Sequence, residues 1–511
     1  MKPISICLAL ICAGSAGLAE QPLSAIDWLN DMATLPAAQP NPYFDGTPPA
    51  EGGAGTILVQ PLGDAKPDAV GLLPSSVTSL PETLWQASSI SDLTALLARI
   101  PPDALPAIQT LYYSLLLAEA EAPINSGPEA VFLKARVRAL VDFGAVEPAF
   151  ALLNRAGPET KPLFDQWFDL ALLSGDENKV CTILRDQPGL SNSYPARIYC
   201  AALAGDWPTA ALTYGSANAL GLLSKDEAEL LAQFLDPETI DMSALPTPPH
   251  PMTPLIFRLY EAAGAPLPTQ GLPSAYAMAD LRGASGWKAE IEAAERLTRS
   301  GAMAPNRLIG LYTSRKPAAS GGVWDRVSVV QRFDAALTSG NADAVAKTLP
   351  KAWDMMRGQG LEVAFAQLFS GPLQAIDLPP DTRPLALKIG LLSTDYKSET
   401  QNYQAADGDG GDEKFMLGLA RGTPDLRLAN TDMQTAIALA FAATGPARNH
   451  KMLLQDGKIG EAILSAAIGL DRASSGNLEG TTQALATLRA VGLENTARRA
   501  ALQLLILERY Q

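Results

Sequence analysis

The stretch LVDFGAVEPAFALL, residues 140–153, carries the spacing that decides the fold. Leu140 lies four positions before Gly144, Ala149 lies five positions after that glycine, and Leu153 lies nine positions after it. A glycine can end a helix in a left-handed conformation at little steric cost, and a small residue one turn into the next helix lets two backbones approach closely. The stretch therefore predicts a helical hairpin that turns at Gly144.

The same spacing recurs five more times along the chain. The next two copies are ALLSGDENKVCTIL at 171–184 and AALAGDWPTAALTY at 201–214, which places three successive turn glycines 31 and 30 residues apart. Three later copies surround Gly340, Gly457 and Gly492. One hairpin cannot bury its apolar face alone, so we expect neighbouring hairpins to stack.

This pattern resembles the second half of the tetratricopeptide (TPR) repeat, with its glycine turn, the alanine that follows and a later bulky apolar position. The first helices of the hairpins lack the Trp and Leu-Gly part of the TPR consensus. The resemblance covers roughly a third of the chain and implies a helical-repeat fold, which usually serves as a protein-binding scaffold. We expect an all-α protein, an α-solenoid of stacked helical hairpins with a largely extended N-terminal segment.

The first 19 residues are typical of a secretory signal peptide. A single cation, Lys2, precedes an apolar run from Ile4 to Ala13, and small residues occupy the −3 and −1 positions of a cleavage site after Ala19. The apolar run is shorter than the ~20 residues that a membrane-spanning helix needs. We therefore expect an exported protein of a bacterial periplasm that does not span a membrane.

The charge balance disfavours one class of partner. The chain has 39 Lys and Arg against 54 Asp and Glu, a net charge of −15, and loss of Lys2 with the signal would make it −16. Nucleic acids and anionic lipid headgroups are bound through basic side chains that replace counterions. We expect no nucleic-acid partner.

Two cysteines remain after Cys7 and Cys12 leave with the signal. Cys181 and Cys200 are 19 positions apart, and in an oxidising compartment they form a natural disulfide pair. Closing a loop of this size stabilises the folded state by about 3 kcal/mol in the chain-entropy model. The alternative is two reduced thiols in a helical core.

Composition divides the chain into seven segments. Proline and glycine clusters mark the breaks between apolar segments of helical periodicity. The expected segments are a signal peptide (1–19), a Pro/Gly/Ala-rich and mostly extended segment (20–80), an N-terminal helical-repeat module (81–234), a Pro-rich connector (235–275), a central helical module (276–392), a polar Gly-rich surface loop (393–422) and a C-terminal helical-repeat module (423–511).

Two segments are candidate partner-binding sites. A short helix around Trp28 could dock on a partner or pack back on the chain's own repeats. The segment 315–326 combines two cations, a flexible Ser-Gly-Gly turn and an aromatic beside a possible ion pair, which together could clamp a carboxylate or a sugar. Its candidate residues are Arg315, Lys316, Ser320, Trp324 and Arg326. The alternative is that Ser320 caps a helix whose Trp324 enters the core.

The sequence has no recognisable catalytic or nucleotide-binding motif. It lacks a G-x-S-x-G elbow, a phosphate-binding glycine loop and H-E-x-x-H, and its two histidines, His250 and His450, have no ligand or nucleophile at a known spacing. A weak calcium candidate is the acidic run with Asp407, Asp409 and Asp412, which lacks the sixth-position Gly and twelfth-position Glu of an EF-hand. A solvated acidic turn is the alternative, and we expect no cofactor and no metal.

These observations favour a non-catalytic periplasmic interaction scaffold or adaptor, which binds an envelope protein or a peptide-like ligand on a face of the solenoid. The assignment rests on analogy at the level of fold. A peptidoglycan- or glycan-binding envelope module is an alternative, which predicts that Trp287, Trp324 and Trp353 line an exposed groove. An unrecognised enzyme is the third possibility.

Overall fold

The computed structural model describes residues 66–236, 245–403, 410–471 and 476–507. Within these ranges the protein is all-α, with 25 α-helices, four short 3₁₀ turns and no β-strand. All of them belong to one compact unit. The signal peptide, Trp28 and most of the predicted N-terminal segment lie outside the described residues.

The helices follow one another with short connections. The first ten are α1 (Ser75–Thr78), α2 (Ile90–Leu97), α3 (Pro106–Leu117), α4 (Val131–Phe143), α5 (Val146–Ala156), α6 (Lys161–Ser174), α7 (Glu177–Asp186), α8 (Tyr194–Leu203), α9 (Trp207–Ala219) and α10 (Lys225–Leu235). The next eight are α11 (Pro254–Ala262), α12 (Ala277–Asp280), α13 (Trp287–Arg299), α14 (Pro305–Thr313), α15 (Val323–Thr338), α16 (Ala342–Arg357), α17 (Glu362–Gln374) and α18 (Arg383–Leu392). The last seven are α19 (Tyr396–Asn402), α20 (Gly411–Arg421), α21 (Asp432–Ala442), α22 (Arg448–Gln455), α23 (Ile459–Asp471), α24 (Leu478–Ala490) and α25 (Glu494–Ile506).

The six predicted hairpin turns are present. All six reference glycines have a positive φ and follow the end of a helix: Gly144, Gly175, Gly205, Gly340, Gly457 and Gly492. The small residue five positions later is fully buried in every copy: Ala149, Val180, Ala210, Val345, Ala462 and Ala497. At Gly144 the packing is closest, since a Cβ there would lie 2.7 Å from Leu297 Cδ2. The glycine-turn prediction is confirmed.

Consecutive helices pack on one another from α3 to α11 and from α12 to α20. The last helices also contact the first ones: α25 packs on α3, and α23 packs on α2 and α3. The backbone N–H of Gly460 donates to the Leu84 carbonyl at 3.0 Å, and the buried Gln503 side chain accepts from the Ala107 N–H at 2.8 Å. Such contacts go beyond the neighbour-only packing of an open solenoid.

A buried arginine fixes the first described residues to the helices. The guanidinium of Arg136, on α4, donates to the carbonyls of Leu116, Ala118 and Val70 at 2.8, 2.9 and 2.7 Å. Burial lowers the pKa of Arg136 to about 10. Val70 lies before α1, and the other two carbonyls lie at the end of α3. This one side chain therefore joins the residues before α1 to the helical core.

The structure corrects two predicted segments. The polar Gly-rich loop at 393–422 contains α19 and α20, because Phe415 and Leu419 lie one helical turn apart and are buried together. The Pro-rich connector at 235–275 contains α11, whose first residue is Pro254. Proline is tolerated at that position because the first N–H of a helix has no intrahelical partner.

None of the described helices combines the length and the apolar character that crossing a membrane requires. Most of the buried hydrophobic residues between Ala277 and Leu392 form one cluster, to which Leu507 also belongs.

Candidate functional site

The predicted segment 315–326 is only partly a surface feature. Arg315, Lys316 and Ser320 are exposed. The helix that follows begins at Val323 with Gly322 as its N-cap, and the Asp325 carboxylate accepts from the Gly321 N–H at 3.0 Å. Ser320 therefore does not cap this helix.

Arg326 is a structural residue, which corrects its prediction as a ligand-binding cation. Its Nε and Nη2 donate to the two carboxylate oxygens of Glu295 at 2.6 and 2.7 Å, and both side chains are buried. Tyr312 donates its hydroxyl to the same carboxylate at 2.5 Å. Burial, reinforced by Glu295, raises the pKa of Tyr312 well above its usual value. This buried triad joins α13, α14 and α15.

The three tryptophans of the glycan hypothesis do not form an exposed groove. Trp287 and Trp353 are 8 % and 7 % exposed, and Trp324 is half-buried with its ring centroid 5.2 Å from that of Trp287. The indole N–H of Trp287 donates to the Leu311 carbonyl at 3.1 Å. These rings contribute to packing, and only Trp324 offers part of its surface to solvent.

The calcium candidate lies mostly outside the described residues, which include Asp412 but not Asp407 or Asp409. Asp412 Oδ1 accepts from the Gln434 side-chain amide at 2.9 Å. Of the histidines, His250 is exposed, whereas His450 is half-buried with Nδ1 2.8 Å from the Thr487 hydroxyl. Among the described residues there is no group of three His, Cys, Asp or Glu side chains that could hold a metal ion.

Cys181 and Cys200 lie at disulfide distance. The Cys181–Cys200 pair has its Cα atoms 4.9 Å apart, within the usual range for a disulfide, and it links α7 to α8. Both residues are buried. Glu177 lies one turn before Cys181, and Tyr199 is adjacent to Cys200, so the link fixes the positions of both side chains.

A cleft of about 560 Å³ opens beside this link. It is lined by side chains from α7 to α11 and by the turn after α12: Glu177, Tyr199, Ala202, Leu203, Trp207, Phe234, Arg258, Glu261, Ala262, Arg282 and Ala284. Two of the helices that line it, α9 and α11, have capped N-termini. Asp206 caps α9 through the Thr209 N–H at 3.2 Å, and Thr253 caps α11 through the Ile256 N–H at 3.3 Å.

Four charged side chains form one network on the polar side of the cleft. Arg258 donates to Glu177 through Nη2 and to Glu261 through Nη1, the latter at 2.7 Å. Arg282 Nη2 donates to both oxygens of Glu261, at 2.8 and 3.0 Å. Two carboxylates thus balance two guanidiniums, and the network has no net charge.

Two atoms of this network have no hydrogen-bond partner among the described residues: Glu177 Oε2 and Arg258 Nε. Both are buried, and Glu177 as a whole is 5 % exposed. Tyr199 donates its hydroxyl to the other oxygen of Glu177 at 3.4 Å, and burial together with that carboxylate raises the pKa of Tyr199 to about 12. Unpaired buried acceptors and donors are rare because each one loses its hydration without replacement.

The opposite side of the cleft is aromatic and apolar. The Phe234 ring lies between Tyr199, at a centroid distance of 5.7 Å, and Trp207, at 6.5 Å. Trp207 and Leu203 are 46 % and 41 % exposed. Three further leucines, Leu212 on α9 and Leu220 and Leu222 just after it, are also exposed. We call these five exposed residues, Leu203, Trp207, Leu212, Leu220 and Leu222, the α9 patch.

Sequence reasoning missed the cleft. Its charged residues lie up to about 100 positions apart in the chain, so no local motif contains them. The available signal was the stretch from Trp207 to Ser224, which has no charged residue although the chain as a whole is strongly acidic.

Comparison of the chain with protein-family models, with curated proteins and with solved structures finds no match.

Proposed function

We propose that this protein is a non-catalytic interaction scaffold of the periplasm, which binds an envelope protein or a peptide-like ligand at the cleft and the α9 patch. In this proposal the hairpins form a solenoid-like, TPR-like stack that presents the site. The signal-like first 19 residues support export, and the Cys181–Cys200 pair is compatible with an oxidising compartment.

One observation carries the proposal. Of the ten large hydrophobic side chains that are exposed among the described residues, five form the α9 patch. Burying one such side chain contributes about 1.5–3 kcal/mol, so a partner that covers several of them gains a strong driving force for association. Exposed apolar side chains that cluster beside a cleft are typical of protein–protein or ligand-binding surfaces.

The distribution of charge also favours this surface as the binding site. A net charge of −15 repels most acidic proteins at a distance, whereas residues 207–224 carry no charge. A partner can therefore approach this stretch without desolvating charged groups, which is the costly part of forming an interface.

Site-specific photo-crosslinking in the producing cell tests the proposal. A photoreactive amino acid at position 212 should give a discrete crosslinked product, because Leu212 is 73 % exposed in the patch. The matched control is the same amino acid at position 452, since Met452 is 60 % exposed but lies outside the α9 patch. Loss of the product in a Leu220→Ser variant would support the patch as its cause. Equal products from both positions, or none from position 212, would refute the proposal.

A further inference from the structure

One stretch of this acidic chain is strongly basic. Residues 296–333 contain seven Lys and Arg against a single acidic residue, Asp325, which gives the stretch a net charge of +6. The rest of the chain therefore carries −21. A local excess of one sign of charge favours a partner of the opposite sign.

Four of the seven cations already bind acceptors within the chain. Two of them pair with glutamates and two donate to backbone carbonyls: Arg307, Arg326, Arg296 and Arg299. The other three, Arg315, Lys316 and Arg332, are exposed, and no carboxylate of the described residues pairs with them. Asp325 uses its carboxylate to accept from the Gly321 N–H at the start of α15. Three cations are thus available to a ligand.

These three cations start from neighbouring positions of the backbone. The side-chain amide of Gln331 donates to the carbonyls of Tyr312 and Arg315, both at 2.7 Å. These two hydrogen bonds hold the end of α14 and the residues after it against α15. Arg332 directly follows Gln331 in the chain, and Lys316 directly follows Arg315. The loop and the helix therefore present their cations on one surface.

An aromatic ring lies on the same helix face. Trp324, Ser328 and Arg332 follow one another at four-residue intervals along α15, so they share a face of the helix. Arg332 Nε donates to the Ser328 carbonyl at 3.1 Å, which holds the guanidinium over the preceding turn. The Trp324 ring packs on Trp287 and keeps part of its surface exposed. We call four residues the α15 face: Arg315, Lys316, Trp324 and Arg332.

We infer that the α15 face binds a short acidic peptide segment of a partner, whose carboxylates pair with the three cations and whose neighbouring apolar side chain lies against Trp324. A guanidinium binds a carboxylate through two parallel hydrogen bonds, so Arg315 and Arg332 suit this ligand. The α15 face lies on other helices than the cleft and the α9 patch. The inference therefore goes beyond the proposed function.

The charge of the rest of the protein limits the size of the ligand. At physiological ionic strength, interactions between exposed charges are screened beyond about 8 Å. A short segment on the α15 face therefore interacts mainly with the three cations. A membrane surface or a long polyanion extends past this face and meets the acidic remainder of the protein, which repels it.

Capped peptides test the inference on the full mature protein. The probe is N-acetyl-Glu-Glu-Phe-Glu-Glu-amide, and the comparison peptides replace every Glu by Gln, or the Phe by Ser. Titration calorimetry should show that the probe binds at least about tenfold more tightly than the Gln peptide and about threefold more tightly than the Ser peptide. No detectable binding of the probe, or equal binding of the Gln peptide, would overturn the inference. Equal binding of the Ser peptide would overturn the contact with Trp324.

Charge-removing variants locate the site. The double variant Arg315→Gln, Arg332→Gln should weaken binding of the probe by about five- to tenfold, whereas Arg315→Lys, Arg332→Lys should retain most of the affinity. The matched control is Arg185→Gln, since Arg185 is exposed on α7 and also lacks a carboxylate partner among the described residues. All these variants replace exposed side chains, so their melting temperatures should stay within ~1 °C of the parent. Unchanged affinity in the Gln double variant, or an equal loss in Arg185→Gln, would refute the site.

Vesicles separate a peptide ligand from a membrane. Vesicles of phosphatidylglycerol and phosphatidylcholine should leave the protein in the supernatant after sedimentation. Sedimentation of the parent protein with these vesicles, abolished in the Gln double variant, would identify a membrane as the ligand and overturn the inference. The crosslinking experiment at position 212 is independent: a specific product there, together with failure of the acidic peptide, would retain the proposed function and reject only the α15 face.

Discussion

Replacing Arg326 by methionine should destabilise the fold strongly, although sequence alone suggests a surface cation. Methionine keeps the length of the side chain but removes both donors to Glu295, whose carboxylate is 2 % exposed. Only the Tyr312 hydroxyl then remains as a hydrogen-bond partner of that carboxylate. A buried charge without its partner is the expected cause of the destabilisation.

The magnitude follows from burial and chain size. Breaking one partner of a buried ion pair costs about 3–5 kcal/mol. An unfolding entropy of about 2.1 cal/mol/K per residue, over the roughly 420 described residues, gives ~0.9 kcal/mol/K. The melting temperature of Arg326→Met should therefore fall by about 3 to 6 °C.

The assay is thermal unfolding followed by helical circular dichroism, with two controls. Arg315→Met makes the same substitution at an exposed arginine 11 positions away and should lower the melting temperature by less than ~1 °C. The triple variant Glu295→Leu, Tyr312→Phe, Arg326→Met should recover most of the loss, because an apolar replacement leaves no unpaired group. The reasoning fails if Arg326→Met and Arg315→Met have the same melting temperature, or if the triple variant has a lower melting temperature than Arg326→Met.

Three further outcomes are expected. The double variant Cys181→Ser, Cys200→Ser should lose about 3 kcal/mol of stability, measured by thermal unfolding against the oxidised parent; an unchanged stability would show that the pair contributes no disulfide to the fold. Burial raises the pKa of Asp169 to about 7. The folded state therefore retains a proton that the unfolded chain, titrating near pH 4, has released, so the contribution of Asp169 to stability is fully present below about pH 4 and is lost as the pH rises through about 7. Asp169→Asn should make the melting temperature depend less on pH between pH 4 and 8. A pH dependence equal to that of the parent protein would contradict this assignment. Gly144→Ala should destabilise more than Gly205→Ala, because both glycines have a positive φ but only at Gly144 would the added Cβ meet a buried side chain. The second variant should cost about 1–2 kcal/mol in urea unfolding, and equal losses would mean that the packing at Gly144 relaxes freely.

The hairpins could be predicted because their determinants are local. A turn glycine, the small residue five positions later and the apolar residues one turn away all lie within a few residues of one another, as around Gly144 and Ala149. The segment 393–422 shows where composition misleads. Its glycines and polar residues suggest a loop, but helix α20 needs only Phe415, Leu419 and their neighbours on one face to be stabilised by packing.

The cleft could not be predicted because it is assembled across the chain. Glu177 and Arg258 are 81 residues apart and meet only because α11 packs back on α6 beside α7. The ion pair of Arg326 has the same cause. Sequence suggested the adjacent Asp325 as its partner, but Arg326 pairs with Glu295, 31 residues away. Which charged residues pair depends on their distance and burial in the folded chain. The spacing of charged residues along the sequence does not determine either quantity.

The arrangement explains how an apolar helix can remain at the surface. Helix α9 buries little more than Ala210 and Ala217, so its own packing holds it weakly. The elements beneath it are held by stronger links, the Cys181–Cys200 pair between α7 and α8 and the ionic network between α7 and α11. Leu212 and Leu220 are 73 % and 72 % exposed, so most of their apolar surface is not buried within the chain. The interaction energy of these leucines is therefore not used in folding and is available to a partner, which is what a binding surface requires.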